Sequence, residues 1–334
     1  MTLPLFASFS RAIARSRAVA VVAVFAVFAV AACAQAPVES GGAPKSAANA
    51  AANAASLPRL HVIGASVSGG FRDGPMTGAE VVGETVSLQQ VLKAWCGEHA
   101  RATTHATMQM MAMFTNPLQI GAQQVAGAQK AEAVGVLAVD FAFWFAYGYV
   151  PGDDEAKARG DLLARGLELL DGLRGPIVLG DLPDMTGASP RMLKPAQIPG
   201  VALQATLNAQ IAAFAKARPN VRLLPLATLM RQLKTDGVDL PLASGPVRAQ
   251  PGALLQGDQL HANRLGMAYL GWVLQPTLRS LFAAEHPLAK QEWTFEQFVG
   301  ACGAEDDLAA VQAAAKGAGA KPAAAPADGS RGGK

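Results

Sequence analysis

Asp258 and His261 stand three residues apart at the start of a helical pattern. A carboxylate at this spacing can orient an imidazole and stabilise its charge, so His261 is a candidate general base. A general base needs a nucleophile, and the best candidate is Ser66, which follows a short apolar strand pattern on a Gly/Ser turn. Ser68 is the second choice. These residue types predict attack of an activated serine hydroxyl on an acyl carbonyl.

Both segments resemble sequence blocks of the SGNH (GDSL-type) hydrolases. Residues 64–68 read Gly-Ala-Ser-Val-Ser and are similar to the family's GDSxS block, with Ala65 in place of the usual Asp. Residues 258–266 read Asp-Gln-Leu-His-Ala-Asn-Arg-Leu-Gly and match the family's DxxHxNxxG block at every fixed position. Because the missing Asp is not the family's catalytic acid, Ala65 bears on the geometry of the turn more than on the reaction.

The resemblance implies a role for each matched residue. Ser66 would attack an ester, His261 would take and return the proton, and Asp258 would hold the imidazole in the required tautomer. Asn263 would cap the following helix, and Gly266 would let that helix pack closely. The resemblance implies neither a metal nor an organic cofactor.

The resemblance is weaker in the middle of the chain, where the family binds the oxyanion with a Gly amide, an Asn side chain and the nucleophile's own amide. Gly121 is the candidate for that Gly. No GxND follows the third predicted strand, where the sequence reads Val139-Asp140-Phe-Ala-Phe-Trp144. An ionised Asp140 cannot donate a hydrogen bond, and the loss of one oxyanion donor costs about 3–4 kcal/mol of transition-state stabilisation.

Several interpretations of Asp140 are open at this point. The carboxyl group is protonated, or Asn116 or the Trp144 indole donates in its place, or the enzyme is slow or inactive. Alternatively, Asp140 binds a substrate hydroxyl while Trp144 offers a stacking face to a sugar ring. A purely structural interpretation is also open, in which Phe141, Phe143, Trp144 and Phe145 are core and rim residues without a role in binding.

Short apolar strands alternate with helical patterns, which is typical of βα units around a parallel sheet. The predicted strands are 59–64, 105–114, 134–140, 176–180 and 221–225, and the predicted helices are 87–98, 119–132, 154–173, 201–217 and 263–284. This pattern predicts an α/β fold: a three-layer α/β/α sandwich with a central parallel sheet of about five strands, of the SGNH or flavodoxin-like type. Ligands of such sheets bind beyond the carboxyl ends of the strands. Ser66, Asn116, Asp140 and Asp181 all fall just past predicted strand ends.

The N-terminus resembles the signal of an exported bacterial lipoprotein. Residues 1–32 contain three arginines and then an apolar run, and Cys33 follows Val-Ala-Ala as in a lipobox. We therefore expect cleavage, lipidation of Cys33, and anchoring to a membrane, with the outer membrane facing the periplasm as the expected address. An uncleaved anchor helix is the alternative. Residues 33–57 are rich in Ala, Ser, Gly and Pro and are predicted to form a tether.

The rest of the chain is predicted to be one domain, residues 58–302, followed by a disordered low-complexity tail at 303–334. Lipidation of Cys33 would leave Cys96 and Cys302 in an oxidising compartment, which predicts a disulfide between them; two buried thiols are the alternative. Cys96-Gly-Glu-His99 is too weak a pattern to predict a metal site.

Charge excludes one class of partner. Removal of residues 1–32 takes away three arginines and no acidic residue, which brings the formal charge of +3 to about zero. A neutral chain offers no electrostatic footprint for nucleic acid. Oligomeric state is left open, because no heptad pattern is present.

The function predicted is that of a lipid-anchored serine esterase that acts on an acyl or acetyl ester of an envelope lipid, a glycan or a small molecule. Two alternatives remain. A catalytically degraded SGNH domain could serve as a glycan-binding or scaffold module, as Ala65 and Asp140 would suggest, or the same residues could transfer an acyl group to a sugar hydroxyl.

Overall fold

The computed structural model describes residues 57–71, 86–107, 114–150, 152 and 154–319, all within one compact unit of the chain. The strands of its main sheet are β1 (Arg59–Val62), β2 (Arg101–Thr104), β3 (Gly135–Ala138), β4 (Ile177–Gly180) and β5 (Val221–Leu224). The helices are α1 (Ser66–Gly69), α2 (Leu88–Cys96), α3 (Pro117–Lys130), α4 (Phe143–Ala146), α5 (Glu155–Glu168), α6 (Val201–Lys216), α7 (Leu226–Arg231), α8 (Arg264–Arg279), α9 (Pro287–Lys290), α10 (Phe295–Ala301) and α11 (Glu305–Gly319).

The five strands are all parallel and lie in the order β2-β1-β3-β4-β5. Every residue of β3 and β4 is buried, as is usual for strands that are covered on both faces. The helices form two groups that each pack within themselves: α3, α5 and α6 in one, α2, α8 and α10 in the other. The predicted three-layer α/β/α sandwich is confirmed, with the flavodoxin-like strand order.

The prediction was wrong at the second strand and missed a hairpin. β2 lies at Arg101–Thr104, before the predicted range of 105–114, because it is a polar edge strand without an apolar run. A two-stranded antiparallel hairpin, β6 (Val238–Leu240) and β7 (Val247–Ala249), follows α7 and was not predicted. Three-residue strands are too short to show a periodic pattern.

The predicted disorder of 303–334 is wrong for its first half, where α11 forms. Three acidic residues in its first turn favour the positive end of the helix dipole, and alanine-rich sequence favours helix. Val311 is buried, and Arg264 forms an ion pair with Asp307 at 3.1 Å. Residues 320–334, like the predicted signal, Cys33 and all of the predicted tether except Leu57, lie outside the described residues.

The predicted disulfide is also wrong. Cys96 and Cys302 are both free and buried. Cys96 ends α2 and Cys302 follows α10, and both side chains belong to the apolar core. Burial raises the pKa of each thiol to about 12, so both are held in the unreactive protonated form. Counting cysteines gave an even number but carried no information about how the two side chains are placed.

No helix in the ranges described above is long and apolar enough to cross a membrane. The predicted signal lies outside those ranges.

His61 is fully buried on β1 and belongs to a polar chain at the edge of the sheet. Its Nδ1 lies 2.7 Å from Thr103 Oγ1, and its Nε2 lies 3.0 Å from His105 Nδ1. Burial, and secondly the neighbouring His105, lower the pKa of His61 to about 4. His61 is therefore neutral in the folded protein at pH values where an unfolded histidine is already charged.

This difference predicts a loss of stability in mild acid. An unfolded histidine titrates near pH 6.5, so between about pH 6.5 and 4 the unfolded chain binds a proton that the folded chain does not. The free energy of unfolding that neutral His61 contributes is fully present above pH 6.5. It is lost as the pH falls through this window, by about 2 kcal/mol at pH 4.5. Urea unfolding at pH 7 and pH 4.5 should show a larger loss for the wild type than for His61→Gln. Equal losses would contradict the assignment.

Candidate active site

Ser66 begins the short helix α1 on a turn that only glycine allows. Gly64 has φ +141°, and a Cβ there would lie 2.1 Å from an oxygen of Asp140 and 2.8 Å from Ser68 Oγ. The Gln124 side chain holds Gly64 from the other side, accepting from its N–H and donating to its C=O, both at 2.9 Å. The turn therefore fixes the place of the Ser66 hydroxyl beyond the carboxyl end of β1.

His261 lies on the loop before α8, at a position set by backbone hydrogen bonds. Asp258 Oδ1 accepts from the amides of Leu260 and His261, both at 3.0 Å. Asn263 caps α8 by accepting from the amide of Gly266 at 2.9 Å. A Cβ on Gly266 would lie 2.2 Å from Leu254 O, so the predicted cap and the predicted close packing are both confirmed.

The structure brings Ser66, His261 and Asp258 together, although 195 residues separate the serine from the histidine. His261 Nε2 lies 2.7 Å from Ser66 Oγ, and His261 Nδ1 lies 2.6 Å from Asp258 Oδ2. Asp258 is inaccessible to solvent and His261 is 3% exposed. Because the carboxylate can only accept, it selects the tautomer with the proton on Nδ1 and leaves Nε2 free to accept from the serine hydroxyl.

The charge of Asp258 is maintained by its partners. Burial alone would raise the pKa of Asp258, but the hydrogen bonds from the His261 ring and from the two backbone amides outweigh it and lower the pKa. The carboxylate is therefore ionised at neutral pH and can stabilise an imidazolium.

Phe71 stacks on one face of the His261 ring and was not identified from the sequence. The two rings stack with centroids 4.0 Å apart and planes 24° apart. The Gln256 side chain links the backbones of Phe71 and Ala262, the residue after His261, donating to Phe71 O at 2.9 Å and to Ala262 O at 2.8 Å. The imidazole is thus held at its edge by the Asp258 carboxylate and on one face by the Phe71 ring.

Asp140 binds the nucleophile turn, the segment 64–68 that carries the candidate nucleophile Ser66. None of the interpretations drawn from the sequence gave Asp140 this role. Its carboxylate accepts from the amides of Ala65 at 2.9 Å, Val67 at 2.8 Å and Ser68 at 3.2 Å, and from Ser68 Oγ at 2.6 Å. The Ser66 amide is not among these donors. Burial raises the pKa of Asp140, and the four hydrogen bonds oppose that rise. Since three of the partners can only donate, the ionised form fits this site.

The remaining sequence candidates lie elsewhere. Ser68, the second choice of nucleophile, is buried and donates to Asp140. Gly121 lies inside α3 and faces Phe141, Phe145 and Leu169, so the prediction of an oxyanion amide there is wrong. The sequence alone does not distinguish a helical glycine that allows close packing from one whose amide takes part in catalysis.

Neither Asn116 nor Trp144 lines the cleft that holds Ser66 and His261. Asn116 is exposed and its amide donates to Gln119. Trp144 is 2% exposed and packs with Ala65, Phe114 and Phe143, which leaves no open ring face for a sugar. Its buried Nε1 has no hydrogen-bond partner in the described part of the chain.

Ser66 and His261 lie at one end of an apolar cleft. The cleft follows the carboxyl ends of β1, β3 and β4 and reaches α7. Its polar side chains are those of Ser66, Asp140, Asp181 and His261, and no Asn, Gln, Lys or Arg lines it among the described residues. Within the same residues, no group of three or more His, Cys, Asp or Glu side chains could hold a metal ion.

Comparison with family models and with curated proteins finds no match. Among solved structures, the fold is similar to the psychrotrophic esterase EstA from Pseudoalteromonas sp., in a structure inhibited by monoethylphosphonate, with 11% identity, a TM-score of 0.40, and coverage of 66% of this chain and 97% of that one. It is also similar to BT4096, a gut microbial diltiazem-metabolizing enzyme, with 10% identity, a TM-score of 0.38, and coverage of 65% and 46%. This chain thus spans less than half of the second protein. Likeness at this level says nothing about the reaction.

The contacts of Asp140 predict the effect of Asp140→Asn. The new NH₂ group would face backbone N–H donors, so the turn loses acceptors and gains a repulsive contact. We expect a loss of about 1–3 kcal/mol in the free energy of unfolding and a fall in any ester hydrolysis that Ser66 performs, because the Ser66 hydroxyl loses its support. Urea unfolding and kcat on p-nitrophenyl acetate measure the two effects. Asp184→Asn is the matched control. The Asp184 carboxylate also accepts from a backbone amide, that of Thr186, but it is exposed and does not contact the turn that carries Ser66. A gain in kcat would instead place Asp140 beside the oxyanion.

Proposed function

We propose that this protein is a serine ester hydrolase. The observation that carries the proposal is the hydrogen-bonded series Asp258–His261–Ser66, with distances of 2.6 and 2.7 Å, at the end of an apolar cleft. A serine hydroxyl paired with a neutral imidazole that is itself held by a buried carboxylate is the arrangement that nucleophilic catalysis requires.

The geometry leads to a two-step reaction. As Ser66 Oγ bonds to the ester carbonyl carbon, His261 Nε2 takes the hydroxyl proton, and Asp258 stabilises the imidazolium. Collapse of the tetrahedral intermediate breaks the bond to the alcohol oxygen, which receives the proton from His261. Water then attacks the acyl-serine with His261 again as base, which releases the carboxylic acid and restores the hydroxyl.

Backbone amides are the proposed oxyanion donors. The Ser66 amide is not used by Asp140 and lies next to the atom that attacks. The described lining of the cleft contains no side chain of the kind that the family's Asn provides. An oxyanion site short of one donor would reduce the rate by a factor of about 10²–10³, so we expect slow turnover.

A fluorophosphonate probe tests this proposal directly. We expect covalent capture at Ser66 by the wild type, and loss of capture in Ser66→Ala and His261→Ala, since both remove part of the nucleophile system. Peptide mass spectrometry locates the modified residue. Ser68→Ala is a control for specificity: label that disappears only in this variant would transfer the role to Ser68. A folded wild type that is never labelled between pH 6 and 9 would favour a binding module.

We further propose that the substrate is an acyl or acetyl ester of the bacterial cell envelope, a lipid, glycan or small molecule, and that the enzyme is anchored there through Cys33. This rests on the lipobox-like sequence before Cys33 and on the Ala/Ser/Pro-rich residues 33–57.

The anchor predicts incorporation of labelled palmitate. Wild-type protein expressed in a bacterial host should carry the label and fractionate with membranes, whereas Cys33→Ala should do neither. Cys96→Ala is the matched control and should behave as the wild type, because that thiol is buried in the core. Equal labelling of Cys33→Ala would refute the anchor.

A further inference from the structure

The cleft beside Ser66 has walls that are far more apolar than ester hydrolysis alone requires. One wall is a stripe on α7 and the turn of π-helix that continues it, spaced as one helical face: Leu226, Leu229, Met230 and Leu233. The facing wall comes from the loops after β4 and before α8, and from α8 itself: Leu182, Met185, Leu255, Leu260 and Leu270. All nine side chains are buried and belong to the apolar core, so packing holds the two walls in place.

The topology sets the length of this cleft. Its lining follows the ends of β1, β3 and β4 and continues onto α7, which comes directly after β5. Neighbouring strands lie about 4.8 Å apart, so three spacings separate β1 from β5 by about 14 Å. An extended chain of single bonds advances about 1.2 Å per atom, as the polypeptide backbone does. The cleft therefore matches a straight chain of about twelve atoms, of which the reacting ester group provides the first two.

The cleft is also narrow. About 720 Å³ of space lies between its walls and out to its mouth, yet the nine leucine and methionine side chains of the two walls are each no more than 8% exposed. A slender chain can lie along such a slit, whereas a hydrated sugar ring is too wide and too polar for it.

Charge in the cleft points to a neutral ligand. The two carboxylates in its lining are already engaged: Asp140 binds the nucleophile turn, and Asp181 accepts from the amide of Ala227 at 2.6 Å. No lysine or arginine lines the described cleft, so a negatively charged chain would find no partner and two acidic neighbours.

From these features we infer that the substrate ester carries an unbranched, uncharged hydrocarbon chain of about eight to ten carbons, which lies along the cleft from Ser66 to α7. The inference rests on the proposed ester hydrolysis and narrows its substrate. The chain could belong to the acyl part or to the alcohol part of the ester, and the two arms of the experiment separate these sources.

The first measurement is kcat/KM against chain length. One arm uses p-nitrophenyl esters from acetate to palmitate, and the other uses acetates of alcohols from ethanol to dodecanol. We expect kcat/KM to rise about two- to fourfold per added methylene up to eight to ten carbons in one arm, because each methylene leaves water for an apolar wall, and then to stop rising.

Variants in the cleft wall test the location. Leu229→Trp should fill the cleft and lower the ratio of octanoate to acetate kcat/KM at least tenfold, and Met230→Ala, which only removes wall atoms, should lower it about threefold. Leu242→Ala is the matched control, since Leu242 is 7% exposed, as is Leu229, but lies outside the cleft. Its ratio should equal that of the wild type.

Two negative outcomes are distinguishable. Hydrolysis and probe capture at Ser66 without any chain-length preference in either arm, or with a preference that the wall variants do not change, would overturn the hydrocarbon cleft and leave the esterase intact. Absence of both hydrolysis and capture would overturn the proposed function, and the hydrocarbon cleft with it.

Discussion

The buried carboxylate of Asp140 holds the turn that carries Ser66, and the geometry of the site depends on it. Hydrogen bonds to a charged group contribute about 1.5–3 kcal/mol each, and this carboxylate accepts four of them from a segment of only four residues. Because Asp140 follows β3 and the turn follows β1, the bonds join the ends of two adjacent strands. Any rotation of the turn would leave a buried charge without its partners, which is costly enough to prevent it.

Two buried carboxylates thus serve one serine in different ways. Asp140 binds backbone donors and fixes where the hydroxyl is, whereas Asp258 binds an imidazole and determines which of its nitrogens faces that hydroxyl. Their surroundings explain the opposite directions of their pKa shifts: desolvation raises the pKa of both carboxylates, but the hydrogen bonds from the His261 ring and two amides outweigh it for Asp258, while desolvation dominates for Asp140. Phe71 completes the arrangement by restricting the ring of His261.

The sequence was most informative where one segment determines its own conformation. Buried strands read as apolar runs, and the loop from Asp258 to the cap of α8 is built from contacts between residues only two or three apart. Contacts across large separations left no such pattern, except where a family motif marked both ends, as for Ser66 and His261. The 72–75 residues between Asp140 and its partners hid its role, and the same holds for Phe71 on His261 and for the packing that keeps Cys96 and Cys302 as separate thiols. The residue type alone suggested a damaged oxyanion site or a substrate-binding edge at Asp140, whereas its hydrogen bonds make it a support for the turn that carries Ser66.

The strand order also explains why the Ser66 site and the apolar part of the cleft lie at different places on the same sheet edge. Ser66 and Asp140 follow the adjacent strands β1 and β3, so the polar groups gather at the centre of the edge. β4 and β5 continue the edge outward, and the segments after them contribute mainly leucine and methionine to the cleft. A buried carboxylate network next to an apolar wall lies in surroundings of low polarity, which strengthens each electrostatic interaction there. The parallel sheet therefore positions both the serine and, one to three strands away, an apolar surface that, under the proposed esterase function, selects the ester that reaches it.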